Sequence, residues 1–160
     1  MKPIILLLTG FILGIIVTLL VFINIFPSMM ISTKESMYGF TETVDMIDSS
    51  STANRWAVLK IIDLGRRMNN AGYEDAPRVK VIELCHAENT YNVLKNEDDM
   101  FISAIMPCRM AVQEKSNGKV FISRMNIDLM SRFFSPNVKK VMSGVALDDE
   151  NILRDIVKSE

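Results

Sequence analysis

The sequence has few residues of the kinds that build familiar reactive sites. It contains two cysteines and one histidine, and neither cysteine lies in a Cys-x-x-Cys or Cys-x-x-Cys-His motif. This spacing excludes a thioredoxin-type redox motif and the covalent attachment of a c-type haem. A glycine-rich phosphate-binding loop and a Gly-x-Ser-x-Gly nucleophile elbow are also absent, which excludes the enzyme classes that depend on these motifs.

The sequence also lacks an excess of basic residues. Its formal net charge is −1, and Lys2 is the only charged residue among the first 27, so the remainder carries one unit more of negative charge. Nucleic-acid-binding proteins present a basic face, and electrostatic attachment to lipid needs a cluster of Lys and Arg. We therefore expect no nucleic-acid partner and no polybasic membrane attachment.

Charged side chains are missing from Pro3 to Phe26, a run made mostly of Ile, Leu, Val and Phe. As a helix this run would be about 36 Å long at ~1.5 Å per residue, against a hydrocarbon core of ~30 Å. A signal peptide has a shorter apolar core followed by a small-residue cleavage site, and no such site precedes Pro27. The sequence therefore predicts a transmembrane anchor over residues 1–27, with a cleaved signal peptide as the alternative.

The flanks and the glycines of the predicted span add two expectations. Lys2 and the amino terminus precede the span, and short positively charged ends stay in the cytoplasm. This predicts a single pass through the inner (cytoplasmic) membrane, with the N-terminus in the cytoplasm and the domain in the periplasm.

Gly10, Gly14 and Thr18 are spaced four apart on one helix face. This spacing favours packing against a second helix, although glycine is also common in membrane helices.

The rest of the sequence mixes strand patterns with helix patterns. Apolar, β-branched runs predict strands at 56–62 and 79–85, and Asn117-Gly118 predicts a type I′ hairpin turn between strands 106–115 and 119–125. Helices are predicted at 41–50, 63–72, 87–95, 128–134, 136–144 and 148–157. We expect an α+β domain over residues 38–160, with helices packed on an antiparallel-containing sheet, after a linker over residues 28–37.

Cys85, His86 and Cys108 are the candidate ligand-binding residues. Cys85 ends one predicted strand and Cys108 begins another, so the sulfurs and the imidazole converge if those strands are neighbours. Thiolate and imidazole ligands suit copper(I), zinc or a haem iron, and a thiol pair can instead cycle with a disulfide. The alternative is that the cysteines are structural, since free cysteine packs well in protein interiors. The cofactor therefore stays open between a soft transition metal, a haem and none.

Residues near these cysteines are candidates for a supporting role. Met106 and Arg109 flank Cys108, although methionine fills irregular cores readily and arginines often form ion pairs on the surface. Arg109 and Arg124 flank the predicted hairpin and could hold an anion together, with a salt-bridged face as the more common arrangement. Glu83, an acid within an apolar strand, is expected to pair with an arginine.

Several blocks of the sequence resemble one family. They are Tyr38 to Val44, Val79 to His86, Met106 to Arg109 and Gly118 to Asn126, and they resemble the family called domain of unknown function 302. The similarity covers roughly residues 37–157, with Ala87 where the family often has Pro and Gln113 where it often has Tyr. The resemblance implies a compact α+β domain that tends to dimerise, and members similar to this chain often accompany sulfur or redox metabolism. It implies no agreed reaction.

The sequence favours an accessory role over catalytic turnover. The leading hypothesis is a membrane-anchored periplasmic domain that binds a metal, a haem or a sulfur ligand through Cys85, His86 and Cys108. The alternative is a structural or assembly subunit of a membrane complex in which the cysteines are incidental. In either case we expect the membrane as a partner, together with a second copy of the chain in a homodimer or with a membrane complex. A thiol enzyme acting on sulfur compounds or disulfides is the weaker alternative.

Overall fold

The structure is a computed structural model that describes residues 2–158, with side chains from residue 10 onward. Helices and strands alternate along most of the chain. In chain order they are α1 (Lys2–Met29), β1 (Ile31–Glu35), α2 (Phe40–Ala53), β2 (Ala57–Asp63), α3 (Leu64–Asn70), β3 (Val79–Cys85), α4 (Ala87–Leu94), a 3₁₀ helix (Glu97–Ile105), β4 (Cys108–Glu114), β5 (Val120–Met125), α5 (Ile127–Ser131) and α6 (Pro136–Leu153).

The described strands form one antiparallel sheet in the order β1-β5-β4-β3-β2. Alternate residues of β3, β4 and β5 are buried, as expected where one sheet face packs on the core. Their buried apolar side chains are Ile82, Leu84, Met110, Val112, Val120 and Ile122. Helices α2, α4 and α6 complete the core on this face with Val44, Ile47, Val93, Val138, Val145, Ile152 and Leu153. The α+β architecture predicted from the sequence is therefore confirmed.

Helix α1 is made mostly of apolar residues. Its segment Gly10–Met29 has a mean hydropathy of 2.5 and is long and apolar enough to cross a membrane. The helix continues past Pro27 to Met29. The backbones at Gly10 and Gly14 face open space, since a Cβ at either position would meet no atom within 4 Å. The pairing of this face with a second helix stays a prediction.

Within the segment assigned as a linker, residues 28–34 fit either a strand or a linker by sequence, and the structure forms an edge strand there. β1 lies within residues 28–37 and pairs with β5 from Ile31↔Met125 to Glu35↔Phe121. Its short polar sequence, Ile-Ser-Thr-Lys-Glu, has a weak strand pattern because it borders the sheet on one side only. The soluble domain therefore begins almost directly after α1.

The predicted starts and stops of two elements match the structure. β3 has the predicted bounds of 79–85. Asp63 caps α3 by accepting a hydrogen bond from the Arg66 backbone N–H at 2.8 Å. After α3 the chain turns at Gly72, whose φ of 94° is accessible mainly to glycine.

The predicted type I′ turn is wrong. That turn needs a positive φ at both central residues, and at the hairpin only Gly118, with φ 78°, has one. Gly118 N–H donates to the Lys115 carbonyl at 2.8 Å, and Lys115 N–H donates to the Lys119 carbonyl at 2.9 Å. The hairpin loop therefore has three residues, Ser116, Asn117 and Gly118, and not two. It is a turn followed by a glycine in the left-handed region.

Three helix predictions also need correction. Gly144 does not end a helix, because α6 runs through it to Leu153 as one element. Gly39, and not Thr41, precedes the first residue of α2, and the Thr43 N–H donates to the Gly39 carbonyl at 2.8 Å. The 3₁₀ helix over Glu97–Ile105 has no counterpart in the predictions, because 3₁₀ helices have little periodicity of their own.

Candidate functional site

Antiparallel pairing brings Cys85 and Cys108 to the same edge of the sheet. β3 ends at Cys85, β4 begins at Cys108, and Leu84 lies directly opposite Cys108. The cysteines therefore lie one position apart in the register of neighbouring strands, as the sequence-based interpretation expected. Both are free thiols in the structure, and both are half-buried.

His86 lies where the chain leaves β3 and turns into α4. It is the N-cap of α4, where its Nδ1 accepts a hydrogen bond from the Asn89 backbone N–H at 3.4 Å. Its ring lies 5.5 Å from the Trp56 ring, measured between centroids. The sharp turn at the strand end, which the sequence required for His86 to approach the cysteines, is therefore present.

The two thiols and the imidazole line one small cavity of about 20 Å³. The Cys85 Sγ lies 3.3 Å from the Thr90 Oγ1 within hydrogen-bond range. A cavity of this size holds about one water molecule. Among the residues that the structure describes, no group of three or more His, Cys, Asp or Glu side chains is placed to hold a metal ion. The predicted ligand set shares a cavity without forming such a cluster.

The environment of Cys108 keeps its thiol protonated. Burial, with a smaller contribution from the charge of Cys85, raises the pKa of Cys108 to about 11. The thiolate is the nucleophilic and metal-binding form of cysteine. At neutral pH Cys108 therefore behaves as a neutral, polarizable wall residue.

Cys108 also lines a much larger cavity, of about 430 Å³. One part of its wall is the continuous segment Ala104 to Ala111, which runs from the end of the 3₁₀ helix into the first half of β4. The rest comes from the other strands and from the helices after β5, with Ile31, Val81, Ser123, Arg124, Met125, Ile127, Met130, Ser131, Phe134, Met142 and Asp149. Five of these wall residues are methionines, namely Met106, Met110, Met125, Met130 and Met142.

The large cavity lies where the ladder between β4 and β5 ends. The pairing of β4 with β5 begins at Met110↔Arg124, so Cys108 and Arg109 extend beyond the ladder. Wall residues come from both sheet faces: Met110 and Arg124 are buried on the helix side, whereas Val81 and Ala111 alternate with the buried residues of their strands. The cavity wall therefore includes residues from both faces of the sheet, near the end of the β4–β5 ladder and beside Cys108.

The buried polar groups of the cavity wall form an ion-pair network. Arg124, which is 6% exposed, donates hydrogen bonds to the carboxylates of Asp149 and Glu150. Burial works against ionisation of Glu150, but the hydrogen bond and charge of Arg124 keep its pKa below the ordinary value. Of these groups, Arg124 and Asp149 lie in the cavity wall as an ion pair, whereas Glu150 is half-exposed and also pairs with Lys34 outside it.

The two arginines that flank the hairpin do not combine into an anion site. Arg109 donates to Glu83 at 3.1 Å across β3 and β4, as the sequence expected for Glu83. Arg124 points to the buried face and pairs with Asp149 and Glu150. Adjacent register positions face opposite sides of a sheet, so Arg109 and Arg124 are separated by the sheet and the salt-bridged arrangement holds.

Met106 lines both the small and the large cavity, next to Cys108. The sequence identified Met106, Cys108 and Arg109 but missed the cavity itself. Its wall is assembled from several distant segments, and no contiguous motif marks it. The count of 12 methionines in 160 residues was the available indication.

Comparison with protein families finds that the family described as "Domain of unknown function DUF302" matches residues 32–159. Among solved structures, the chain is similar to the one titled "Crystal structure of uncharacterized conserved protein DUF302 from Bacillus stearothermophilus". The TM-score is 0.71 at 17% sequence identity, with 79% of this chain and 98% of that chain covered. A likeness at this identity is one of fold. No curated protein matches the chain.

Proposed function

The chain belongs to the DUF302 family, and from that premise we propose that it is a membrane-tethered accessory domain that binds a mainly apolar small molecule. The 430 Å³ cavity beside Cys108 is the observation that carries this proposal. Small-molecule sites in proteins are usually clefts of roughly 300–1,000 Å³ with apolar walls and few polar groups. The cavity meets this description in both size and lining.

The lining favours a polarizable, apolar ligand. Methionine side chains adapt their shape and make favourable sulfur contacts with aromatic rings, and five methionines with Cys108 surround the space. Arg124 and Asp149 supply polar atoms at the wall, but they pair with one another. A strongly charged ligand would have to compete with that pair, whereas an apolar ligand with one polar group would not.

The state of Cys108 supports binding over turnover. A thiol with a pKa near 11 is almost wholly protonated at neutral pH, and a protonated thiol is a poor nucleophile. This supports an accessory function for the domain and weighs against a thiol enzyme that uses Cys108 for attack.

The test measures binding of dansyl-undecanoic acid to the full chain in phosphatidylcholine vesicles. Trp56 is the single tryptophan, so energy transfer from it to the dansyl group reports probe bound to the protein. We expect saturable transfer that Ala111→Phe weakens at least tenfold (~1.4 kcal/mol) by filling the cavity. Ala57→Phe is the matched control, since Ala57 is exposed on β2 and outside the cavity wall. Equal affinities in the two variants, or no saturable transfer, would reject the proposal.

A second candidate function is a soft-metal site at Cys85, His86 and Cys108. Its support is that the three side chains line one cavity. Because they do not form a metal-binding cluster in the described structure, they would have to move closer together to bind a metal ion. Of the cofactors that the sequence left open, copper(I) suits this set best, because soft thiolates select it. Binding would displace the Cys108 proton, since metal ligands bind in their deprotonated form.

Anaerobic titration with copper(I) against a chelator of known affinity tests this second candidate. The expected result is one tightly held copper(I) per chain, lost in both Cys85→Ser and Cys108→Ser. Met37→Ser is a suitable control, because Met37 is exposed and far along the chain from the site. Binding that survives either cysteine substitution would exclude the site.

The apolar helix α1 supports the tether. A segment with this length and hydropathy is suited to span a bilayer. Because Lys2 precedes the helix, we propose a single pass with the domain on the periplasmic side.

The sheet face away from the helices is a surface where a second copy or a partner subunit could pack. It carries half-buried residues such as Val79, Val81 and Ala111.

A further inference from the structure

We propose that the domain rests against the bilayer through an apolar rim and that the cavity draws its ligand from the lipid phase. The ligand class would then be a membrane-soluble amphiphile. Entry of the ligand from the lipid phase rests on the proposed ligand-binding function, whereas contact of the rim with lipid does not. The apolar rim is defined here as Ile31, Phe101, Ile105 and Phe133, which are all exposed.

The strand order places the candidate site at the end of the sheet nearest the membrane. β1 starts at Ile31, two residues after α1 ends. Because neighbouring strands are antiparallel, the end of β5, the start of β4 and the end of β3 lie at that same edge. Cys85 and Cys108 are therefore membrane-proximal, and the loop around Gly118 lies about 20 Å away at the far edge, at ~3.3 Å per residue of strand.

Hydrogen bonds join the cavity wall to the last turn of α1. The Asn126 side-chain amide donates to the Met29 carbonyl at 3.1 Å, and the Asn126 backbone N–H donates to the Met30 carbonyl at 2.8 Å. The residues next to these bonds, Ile31 and Ile127, both line the cavity. The cavity wall thus begins two residues after the end of the apolar helix.

The rim continues the apolar surface of α1 onto the domain. The rings of Phe26 and Phe133 meet edge to face with centroids 5.7 Å apart. Phe101 lies 6.2 Å from the cavity residue Phe134, again between centroids. Phe101 and Phe133 are each 62% exposed. Large exposed aromatics next to a membrane-spanning helix are typical of interfacial anchoring.

Apolar burial, not charge, would drive this contact. The residues after α1 have a small net negative charge, and the 3₁₀ helix that carries Phe101 and Ile105 begins with the acids Glu97 and Asp98. Anionic headgroups would therefore not strengthen the contact. We expect the same rim contact in phosphatidylcholine as in vesicles that contain phosphatidylglycerol.

Quenching of a fluorescent label by a nitroxide-labelled lipid tests the contact of the rim with lipid. Two variants of the full chain are compared, both with Cys85→Ser and Cys108→Ser, and each has one new cysteine, Phe133→Cys or Tyr73→Cys. That cysteine carries the fluorophore, and the protein is placed in vesicles that contain the nitroxide-labelled lipid. Tyr73 is exposed and lies in the connection between β2 and β3 at the far edge of the sheet. We expect several-fold stronger quenching at position 133 than at 73. Equal quenching at both positions would overturn the contact with lipid.

Entry from the lipid phase is tested on Cys108. Cys108 is the single cysteine of the Cys85→Ser chain, and the reference is a chain with Cys85→Ser, Cys108→Ser and Tyr73→Cys. In each chain we measure the rate of modification by a membrane-soluble maleimide and by a charged, membrane-impermeant one. We expect the ratio of the first rate to the second to be several-fold higher at Cys108 than at position 73. Equal relative rates would reject loading from the bilayer.

The outcomes separate the two proposals. Saturable binding of dansyl-undecanoic acid without preferential labelling of Cys108 would keep the ligand function and reject loading from the bilayer. Lipid quenching at position 133 without saturable binding would keep the rim contact and reject the ligand function.

Discussion

At the scale of single residues, Arg124 and Asp149 form the least exposed ion pair of the described residues. Arg124 is buried with two carboxylate partners, and removing one member of a buried pair leaves an uncompensated charge that costs about 3–5 kcal/mol. We expect Arg124→Leu to lower the free energy of unfolding by about this amount, measured by urea denaturation in detergent with Trp56 fluorescence. Arg132→Leu is the control: its pair with Asp128 is exposed, and its loss should cost less than ~1 kcal/mol. Equal costs would contradict the assigned burial.

Cys108 gives a second prediction at this scale. Because burial is the larger cause of its raised pKa, the pKa should stay well above 9 in Cys85→Ser, where the smaller contribution from Cys85 is removed. Thiolate absorbance at 240 nm during a pH titration measures it. A raised folded-state pKa adds stability below pH 9 that is lost as the pH rises from 9 towards about 11. Titration at the ordinary value would show that Cys108 is open to water.

At the scale of elements, we expect Gly→Ala substitutions to have opposite effects on stability at two helical glycines, because one has open space beside it and the other packs closely on backbone. Gly144 lies inside α6 with open space where a Cβ would project, whereas a Cβ at Gly65 in α3 would come within 2.7 Å of the Pro77 carbonyl oxygen. Gly144→Ala should therefore stabilise the domain by about 0.5–1 kcal/mol. Gly65→Ala should destabilise it, because backbone must move. Urea denaturation of the two variants tests both signs, and destabilisation by Gly144→Ala would mean that α6 is interrupted there.

At the scale of the whole molecule, acid should loosen the junction between the 3₁₀ helix and α6. Hydrogen bonds from Asn137, Ser135 and Asn96 hold the pKa of Asp99 below its ordinary value. A lowered pKa adds stability that is present above the unfolded-state pKa and is lost as the pH falls through the folded-state value.

We therefore expect Asp99→Asn to destabilise the domain at pH 7 and to differ less from the parent at pH 3, by urea denaturation at each pH. Asp98→Asn, at an exposed neighbouring position, serves as the control and should leave both values unchanged. A difference between Asp99→Asn and the parent that is the same at both pH values would show that the charge of Asp99 is not involved.

The proposed topology is also a property of the whole molecule. A reporter enzyme that is active only outside the cytoplasm, fused after Glu160, should be active, because Lys2 keeps the short amino-terminal end inside. Lys2→Glu should reduce that activity. Activity of a cytoplasm-dependent reporter at the same position would reverse the orientation.

The sequence by itself determined the features that depend on local chemistry. The apolar run of α1, the strand Val79–Cys85, the Asp63 cap and the turn at Gly72 each follow from residues that are neighbours in the chain. The sequence placed Cys85 and Cys108 together only on the condition that their strands are neighbours, and the antiparallel pairing of β3 with β4 in the structure meets that condition.

Only the tertiary structure decided what depends on residues far apart in the sequence. α6 continues through Gly144 because the burial of Val145, Ile152 and Leu153 outweighs the weak helix propensity of one glycine. The cavity lies at the end of the β4–β5 ladder, and its wall combines residues as far apart in the sequence as Ile31 and Asp149. A pattern along the chain reports which side chains are apolar, but a space between them is set by how distant segments meet.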